Sequence, residues 1–361
     1  MHIKIKHLFI ILIFTLYTNP TFSKIYIDKI GPDFSHPWGV SVLNENELLI
    51  TERKGILSKL NIKTGEKIII LNTPKVFNVG QGGLLDVHTL KQNNITNVYF
   101  CYSKYDPPVK SYTILQKSIL KENSLSQNQI IFSTNIPSGS PIHYGCRIAI
   151  LDQYIYLSLG DRGRRDNAQK PEFHDGSIIR LNLNGERIGK NPFYQTPLTE
   201  VFTIGHRNPQ GLAINPNDEK IWSHEHGPQG GDEINIIEAG GNYGWPIVSH
   251  GEEYGGGKIG IGTSAPGLID PVWKWIPSIA PSGMAFYNKN MFPEFKNHLL
   301  VGSLKFKQLY LIYLEDNIPI KEKTVLNQSI GRIRDIEVLN DGSIIILTDE
   351  ENGGVFRLYN K

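Results

Sequence analysis

The sequence predicts an all-β chain folded as a six-bladed β-propeller with four-stranded antiparallel blades, and three observations predict it. One phrase recurs six times along the 361 residues: an apolar run, a polar turn, and a second apolar run that ends in charged or small residues. The copies begin 47 to 72 residues apart and continue to the C-terminus, a spacing suited to radial β repeats. No amphipathic stretch of helical period and convincing length interrupts them.

The copies, in order, are GVSVLNENELLITE from Gly39, DVHTLKQNNITNVYFCYS from Asp86, RIAILDQYIYLSLGD from Arg147, GLAINPNDEKIWSHEHG from Gly211, GMAFYNKNMFPEFKNHLLVGS from Gly283 and DIEVLNDGSIIILTDE from Asp335. Each reads as a β-hairpin, because β-branched and aromatic runs flank Asn, Asp, Gly or Pro turn residues. Dividing the exported part among six copies leaves about 56 residues per blade, slightly more than common propeller repeats and enough for loops. Nothing in the chain has the composition of an interdomain linker, so residues 24–361 are expected to form one domain.

Residues 1–23 read as a secretory signal peptide. Lys4 and Lys6 make a basic start, Leu8 to Tyr17 an uncharged apolar run, and Thr21-Phe22-Ser23 a small-residue exit,. The run is shorter than the roughly 20 residues of a spanning helix; a retained anchor is the competing reading. The chain is therefore expected to be periplasmic or secreted, without stable membrane insertion once cleaved. Net charge is +2, from 37 basic and 35 acidic residues, which gives no basic footprint for nucleic acid. Cys101 closes one hairpin and Cys146 opens the next. After export they either form a disulfide between neighbouring blades or remain two buried thiols.

The open ends of a hairpin lie side by side, so residues before the first strand and after the second share one face. If the hairpins surround one axis, these flanks meet at a concave mouth, the default place for a site. Before first strands stand His36-Pro37-Trp38, Gln81-Gly82-Gly83, His143-Tyr144-Gly145, Arg207-Asn208-Pro209, Pro281-Ser282 and Arg332-Ile333-Arg334. After second strands stand Glu52-Arg53, Tyr102-Ser103, Asp161-Arg162, Glu225-His226-Gly227, Ser303-Leu304-Lys305 and Asp349-Glu350. Gathering Arg207, Lys305, Arg332 and Arg334 at one mouth is electrostatically costly unless a small polyanion binds there. The alternative is that Asp161, Asp335 and Glu350 pair with them. His143 has the side chain suited to proton abstraction near neutrality, although a satisfied core histidine is the more frequent role. His224 to Pro246 is rich in Gly and carboxylate without the EF-hand spacing. Carbonyls of Gly227 and Pro228, and a cluster of Asp232, Glu233 and the Tyr243 carbonyl, are candidate calcium oxygens. Zinc at His224 and His226 lacks a third nearby Cys or His.

The motifs GQGGLLDV, HYGCR, LSLGDRGRRDNAQ, GHRNPQGLA, EHGPQGGDEIN, GNYGWP, SGMAFYN, GSLK and RIRDI occur in one order from about His36 to the C-terminus. In them the chain resembles the PQQ-dependent aldose sugar dehydrogenases, relatives of soluble quinoprotein glucose dehydrogenase. The resemblance implies that pyrroloquinoline quinone (PQQ) lies across the channel mouth, held by Gln81, Arg207, Asn208, Tyr254, Ser303, Leu304, Lys305, Arg332, Ile333 and Arg334. It implies His143 as general base and Ca2+ at Gly227, Pro228, Glu233 and Tyr243. It further implies an aldose sugar as substrate and an external electron acceptor. Ile142 and Arg162 depart from the glucose dehydrogenase branch, which carries an acidic residue and Gln at these positions. Two rival functions remain: a calcium-dependent lactonase, which would gather carboxylates around one metal, and a non-catalytic binding propeller, which has no need of His143.

Overall fold

The computed structural model describes residues 23–361. Apart from Ser23, the predicted signal peptide lies outside the described residues. Six four-stranded antiparallel sheets make up the chain, and the innermost strands touch their neighbours in a closed cycle. The inner strands are Pro37–Asn44, Leu84–Gln92, Gly145–Leu151, Pro209–Ile214, Pro281–Tyr287 and Ile333–Val338. Their hairpin partners are Glu47–Glu52, Ile95–Asp106, Tyr154–Leu159, Ile221–Glu225, His298–Ser303 and Ile344–Thr348. All six predicted hairpins are thus present, as the inner half of each blade of a six-bladed propeller. The ring is closed by Tyr26–Phe34, which pairs with Gly353–Tyr359 as the outer strand of the sixth blade.

Blades pack face to face, so most strands are buried on both sides and read as continuous apolar runs rather than alternating ones. In Ile344–Thr348, Ile344 and Ile346 pack toward the fifth blade while Ile345 and Leu347 pack toward the first. Likewise Leu48 and Ile50 face the sixth blade and Leu49 the second. Each interface between neighbouring blades holds its own apolar cluster.

Aligning the six hairpin copies puts Gly39, Asp86, Arg147, Gly211, Gly283 and Asp335 at one level. The glycines at positions 39 and 283 permit close approach: an added Cβ would stand 2.8 Å from Asp86 Oδ1 and 2.5 Å from the Asp335 Cα, respectively. Arg147, from the third blade, reaches Asp86 (3.2 Å), Asp335 (2.9 Å) and the carbonyls of Gln210 (2.7 Å) and Arg334 (3.1 Å), and lies 4.1 Å from the centroid of Trp38. Contacts with the first, second, fourth and sixth blades place it on the axis. Its network stands between an upper cavity of about 530 Å³ and a lower one of about 340 Å³.

Cys101 and Cys146 form a disulfide with a Cα–Cα distance of 5.5 Å, which ties the second blade to the third just below His143. It closes a 45-residue separation, so chain entropy predicts that reducing it or replacing both cysteines with serine costs about 4 kcal/mol. Urea unfolding with and without reductant measures this; an unchanged midpoint would show that the bridge contributes nothing to stability.

Candidate active site

The upper cavity opens where the hairpin flanks meet. Its wall includes Trp38, Gln81, Asn208, Gln210 and Leu304, and its charged residues are Arg53, Lys305, Arg332, Arg334 and Asp349. Four cations therefore face one carboxylate. Arg334 binds Asp349 at 2.9 Å and donates to Gln210 Oε1 at 3.2 Å. Arg332 lies 3.8 Å from the same carboxylate, with its side chain 42% exposed. Burial works to raise the Asp349 carboxyl, but Arg334 first, with His36 and Arg332, holds it well below the ordinary carboxylate range. The cation excess is thus only partly cancelled. Pairing goes through Asp349, whereas Asp335 serves Arg147, Asp161 serves His143, and Glu350 accepts the backbone N–H of Arg332.

His143 adjoins this cavity without lining it, next to Gln81 and Tyr144, which do. Its backbone takes φ of 54°, a left-handed conformation uncommon outside glycine, and its N–H donates to Gln81 Oε1 at 2.7 Å. The imidazole Nδ1 lies 2.7 Å from Asp161 Oδ1. Asp161 also accepts from the Trp245 indole (2.8 Å) and the Gly163 N–H (2.8 Å). Burial opposes its ionisation, yet the bond to His143, the charge of that ring and these donors bring its carboxyl below the usual value. An ionised Asp161 places the imidazole proton on Nδ1 and leaves the lone pair on Nε2, the tautomer of a general base.

Glu225 organises the neighbouring turn. Its Oε2 accepts the backbone N–H groups of Arg207 and Asn208 while Oε1 meets buried His206 at 2.9 Å. Arg207 points its guanidinium at the carbonyls of His226 (3.0 Å) and Gly227 (2.9 Å). Asn208 Oδ1 accepts from the Gly145 N–H (3.3 Å) and from Gln210 (3.2 Å). The buried Nε atoms of Arg53, Arg207 and Arg334 have no partner. Beside Arg207 a narrow void of about 20 Å³ is lined by Glu225, Gly227, Pro228, Glu233, Tyr243 and Asp270, among others. Burial, and then the charge of Glu225, push the Glu233 carboxyl up. Asp232 turns away from this void, since backbone N–H groups of Gly227, Ile279 and Ala280 take both its oxygens.

Of the predicted residues, Gln81, Asn208, Leu304, Lys305, Arg332 and Arg334 line the upper cavity; Arg207 lies beside it, in the wall of the narrow void. Ser303 and Ile333 are buried beneath the mouth, with the Ser303 hydroxyl on the Ile279 carbonyl at 2.6 Å. Tyr254 is 73% exposed and lies outside the lining. The Gly227 carbonyl is engaged by Arg207. His224 is fully buried with neither ring nitrogen bonded, and His226 Nε2 meets the Pro281 carbonyl at 2.7 Å. Burial lowers both rings' affinity for protons. Among the described residues no three His, Cys, Asp or Glu side chains gather in a metal-binding group. Arg53, Gln210 and Asp349 were not singled out as ligands, although Arg53 and Asp349 lie in the flanks that the repeat brings together.

A family model described as glucose/sorbosone dehydrogenase matches residues 34–357. The aldose sugar dehydrogenase of Escherichia coli is 32% identical over 343 residues, which cover 92% of each chain. The crystal structure of soluble aldose sugar dehydrogenase from Escherichia coli, in its apo-form, superposes with a TM-score of 0.89, covering 94% of this chain and all of that one. A PQQ-bound aldose sugar dehydrogenase from Streptomyces coelicolor, 25% identical, superposes at 0.76 over 94% of this chain and 99% of its own.

Proposed function

Because the chain belongs to the glucose/sorbosone dehydrogenase family, we propose that it oxidises the anomeric carbon of aldoses to lactones with PQQ and calcium. Export by the N-terminal 23 residues would place residues 24–361 in the periplasm or outside the cell, where electrons pass to an external acceptor. The observation that carries this reading is the surplus of cations over Asp349 in a cavity lined by Gln81 and Tyr144, the residues that flank the His143–Asp161 pair.

The residues fit a flat tricarboxylate. Arg53, Lys305, Arg332 and Arg334 offer charge, Gln81 and Asn208 offer amides, and the free Nε of Arg53 and Arg334 are donors without an acceptor,. For calcium the fit is incomplete. Glu233, its carboxyl pushed up by burial, lines the narrow void with Glu225, Asp270 and Tyr243 and has no Lys or Arg partner among the described ion pairs. Glu225, however, already engages His206, Arg207 and Asn208, and among the described residues no three carboxylates gather into one group there,. A bound quinone would supply the acceptor for the hydride of the sugar, and calcium would supply polarising charge. The chain itself supplies position and proton chemistry. Asp161 holds the His143 tautomer, and Nε2 takes the hydroxyl proton of the sugar. Arg332 and Lys305 fix the carboxylates, while Glu225 holds the turn of Arg207 and Asn208.

The test is reconstitution. Apo-protein given PQQ, calcium and glucose is expected to reduce an artificial dye, and to require both additions. Calcium alone is expected to raise the melting temperature, more strongly as pH rises, because the Glu233 carboxyl must lose its proton to ligate. Hydrolysis of a lactone without quinone, or no dye reduction by protein shown to bind PQQ, would overturn the reading.

A further inference from the structure

Arg162 follows Asp161 in the turn leaving the third hairpin and is 4% exposed, yet no carboxylate lies within ion-pair distance of it among the described ion pairs. Its donors go instead to the chain just before His143. Nε donates to the Ile142 carbonyl at 3.0 Å, and Nη2 to the Ser140 carbonyl and to Ser111 Oγ (3.2 Å). The guanidinium lies 3.6 Å from the centroid of the Tyr144 ring, and the Tyr144 hydroxyl returns to Ser111 Oγ at 2.9 Å. Ser111 is itself bonded through its backbone to Ser138, N–H to carbonyl in both directions.

We propose that Arg162 is a positioning residue that keeps the His143 imidazole in register with Asp161 by clamping the carbonyls of Ser140 and Ile142. The inference rests on the reading of His143 as the base. The clamp joins three segments that otherwise meet only at their edges: the tall hairpin of the second blade, the loop 134–144, and the turn 160–163 that carries Asp161. It is needed because His143, Gly145, Cys146 and Arg162 all have positive φ, from 51° to 78°. Such backbone persists only where its surroundings over-determine it. A planar fork suits the task and an ammonium does not: it reaches two carbonyls and a hydroxyl at once while lying flat on an aromatic face. Burial draws the guanidinium down to about 10, so it stays charged throughout the working range. With no carboxylate in ion-pair contact among the described residues, its buried charge meets two carbonyls, a hydroxyl and a ring at close range, while Asp161 and Asp175 act on it only from farther away,.

The experiment reads the imidazole directly as well as turnover. In nitrogen-labelled protein the His143 Nδ1 proton shared with Asp161 should give a low-field resonance, identified by its loss in His143→Gln. Arg162→Gln is expected to broaden or abolish that resonance in the apo-protein. In the reconstituted enzyme it should lower kcat per bound PQQ by about tenfold or more, with aldose KM and PQQ affinity unchanged within about twofold. Arg162→Lys, which keeps the charge and reaches one carbonyl, should recover part of both. An unchanged resonance in folded Arg162→Gln overturns the proposal, as does a loss of kcat, KM and PQQ affinity in equal measure. If Arg162→Gln does not fold, Ser111→Ala removes a strut of the same clamp and is expected to weaken the resonance; an unaltered line there overturns the proposal too. Should wild-type protein with bound PQQ reduce no dye, the functional reading falls while the resonance still decides the clamp.

Discussion

Replacing His143 with alanine is expected to lower kcat of dye-coupled aldose oxidation by about 10²- to 10⁴-fold, the range a positioned general base contributes. PQQ affinity should change little, because the cationic wall of Arg53, Lys305, Arg332 and Arg334 is untouched. The fold should also survive. Asp161 keeps the Trp245 indole and the Gly163 N–H as donors when the imidazole is gone, so no buried carboxylate is left without a partner. Asp161→Asn sharpens the test. An amide turned to donate toward Nδ1 would drive the proton onto Nε2 and remove the lone pair that the reaction needs, without changing volume. It is expected to lose about 10²-fold or more in kcat. PQQ titration by absorbance, followed by initial rates per bound cofactor, measures both variants. If His143→Ala keeps more than about a tenth of the wild-type rate, another group takes the proton and the assigned base is wrong.

How much of this was legible in the sequence depended on length and burial. The inner hairpins could be read because each strand spans five or more residues and is apolar on both faces. Outer strands such as Lys67–Ile69, Val201–Thr203 and Trp273–Trp275 hold three residues each, too few to show a period. Tyr26–Phe34 closes the ring across the full length of the chain, and no local pattern announces a partner so distant. At the mouth, the residues that the flank rule groups include Gln81, Asn208, Lys305, Arg332 and Arg334, and these line one cavity. The same reading named Glu350 as a counter-charge where the structure uses Asp349, since adjacent residues point to opposite sides and only the fold decides which meets Arg334,. Tyr254 came from resemblance alone, and it sits in a glycine-rich loop where nothing in the chain fixes its side chain on the cavity. Arg147 was hidden because it stands near the start of the otherwise apolar strand Gly145–Leu151. A comparison of first positions across the six copies, Gly, Asp, Arg, Gly, Gly and Asp, carries the signal: one arginine and two aspartates among glycines.

That axial arginine leads to the second large effect. Arg147→Met is expected to destabilise the protein by about 3–5 kcal/mol near neutral pH, the cost of stranding a buried partner. Asp86 and Asp335 both contact its Nη1, and each also accepts one backbone N–H, from Ile148 at 2.8 Å and Val40 at 2.9 Å. Without the guanidinium they repel one another with few donors. The pH dependence has a definite sign. Burial already raises the Asp86 carboxyl in the folded protein, against the pull of Arg147 and with the push of Asp335. A carboxyl raised on folding binds more protons in the folded state, so stability falls as pH climbs from its unfolded value to its folded one. Removing Arg147 deletes the opposing pull, so that fall should become steeper and the deficit should shrink on acidification toward about pH 5, as the two carboxyls take up protons. Urea unfolding at several pH values gives the difference directly. Because breaking a pair and replacing it whole differ in cost, the triple variant Arg147→Met, Asp86→Asn, Asp335→Asn should regain most of the loss and flatten its pH dependence. A deficit below about 1 kcal/mol, or one independent of pH, would mean that water reaches these carboxylates and screens them.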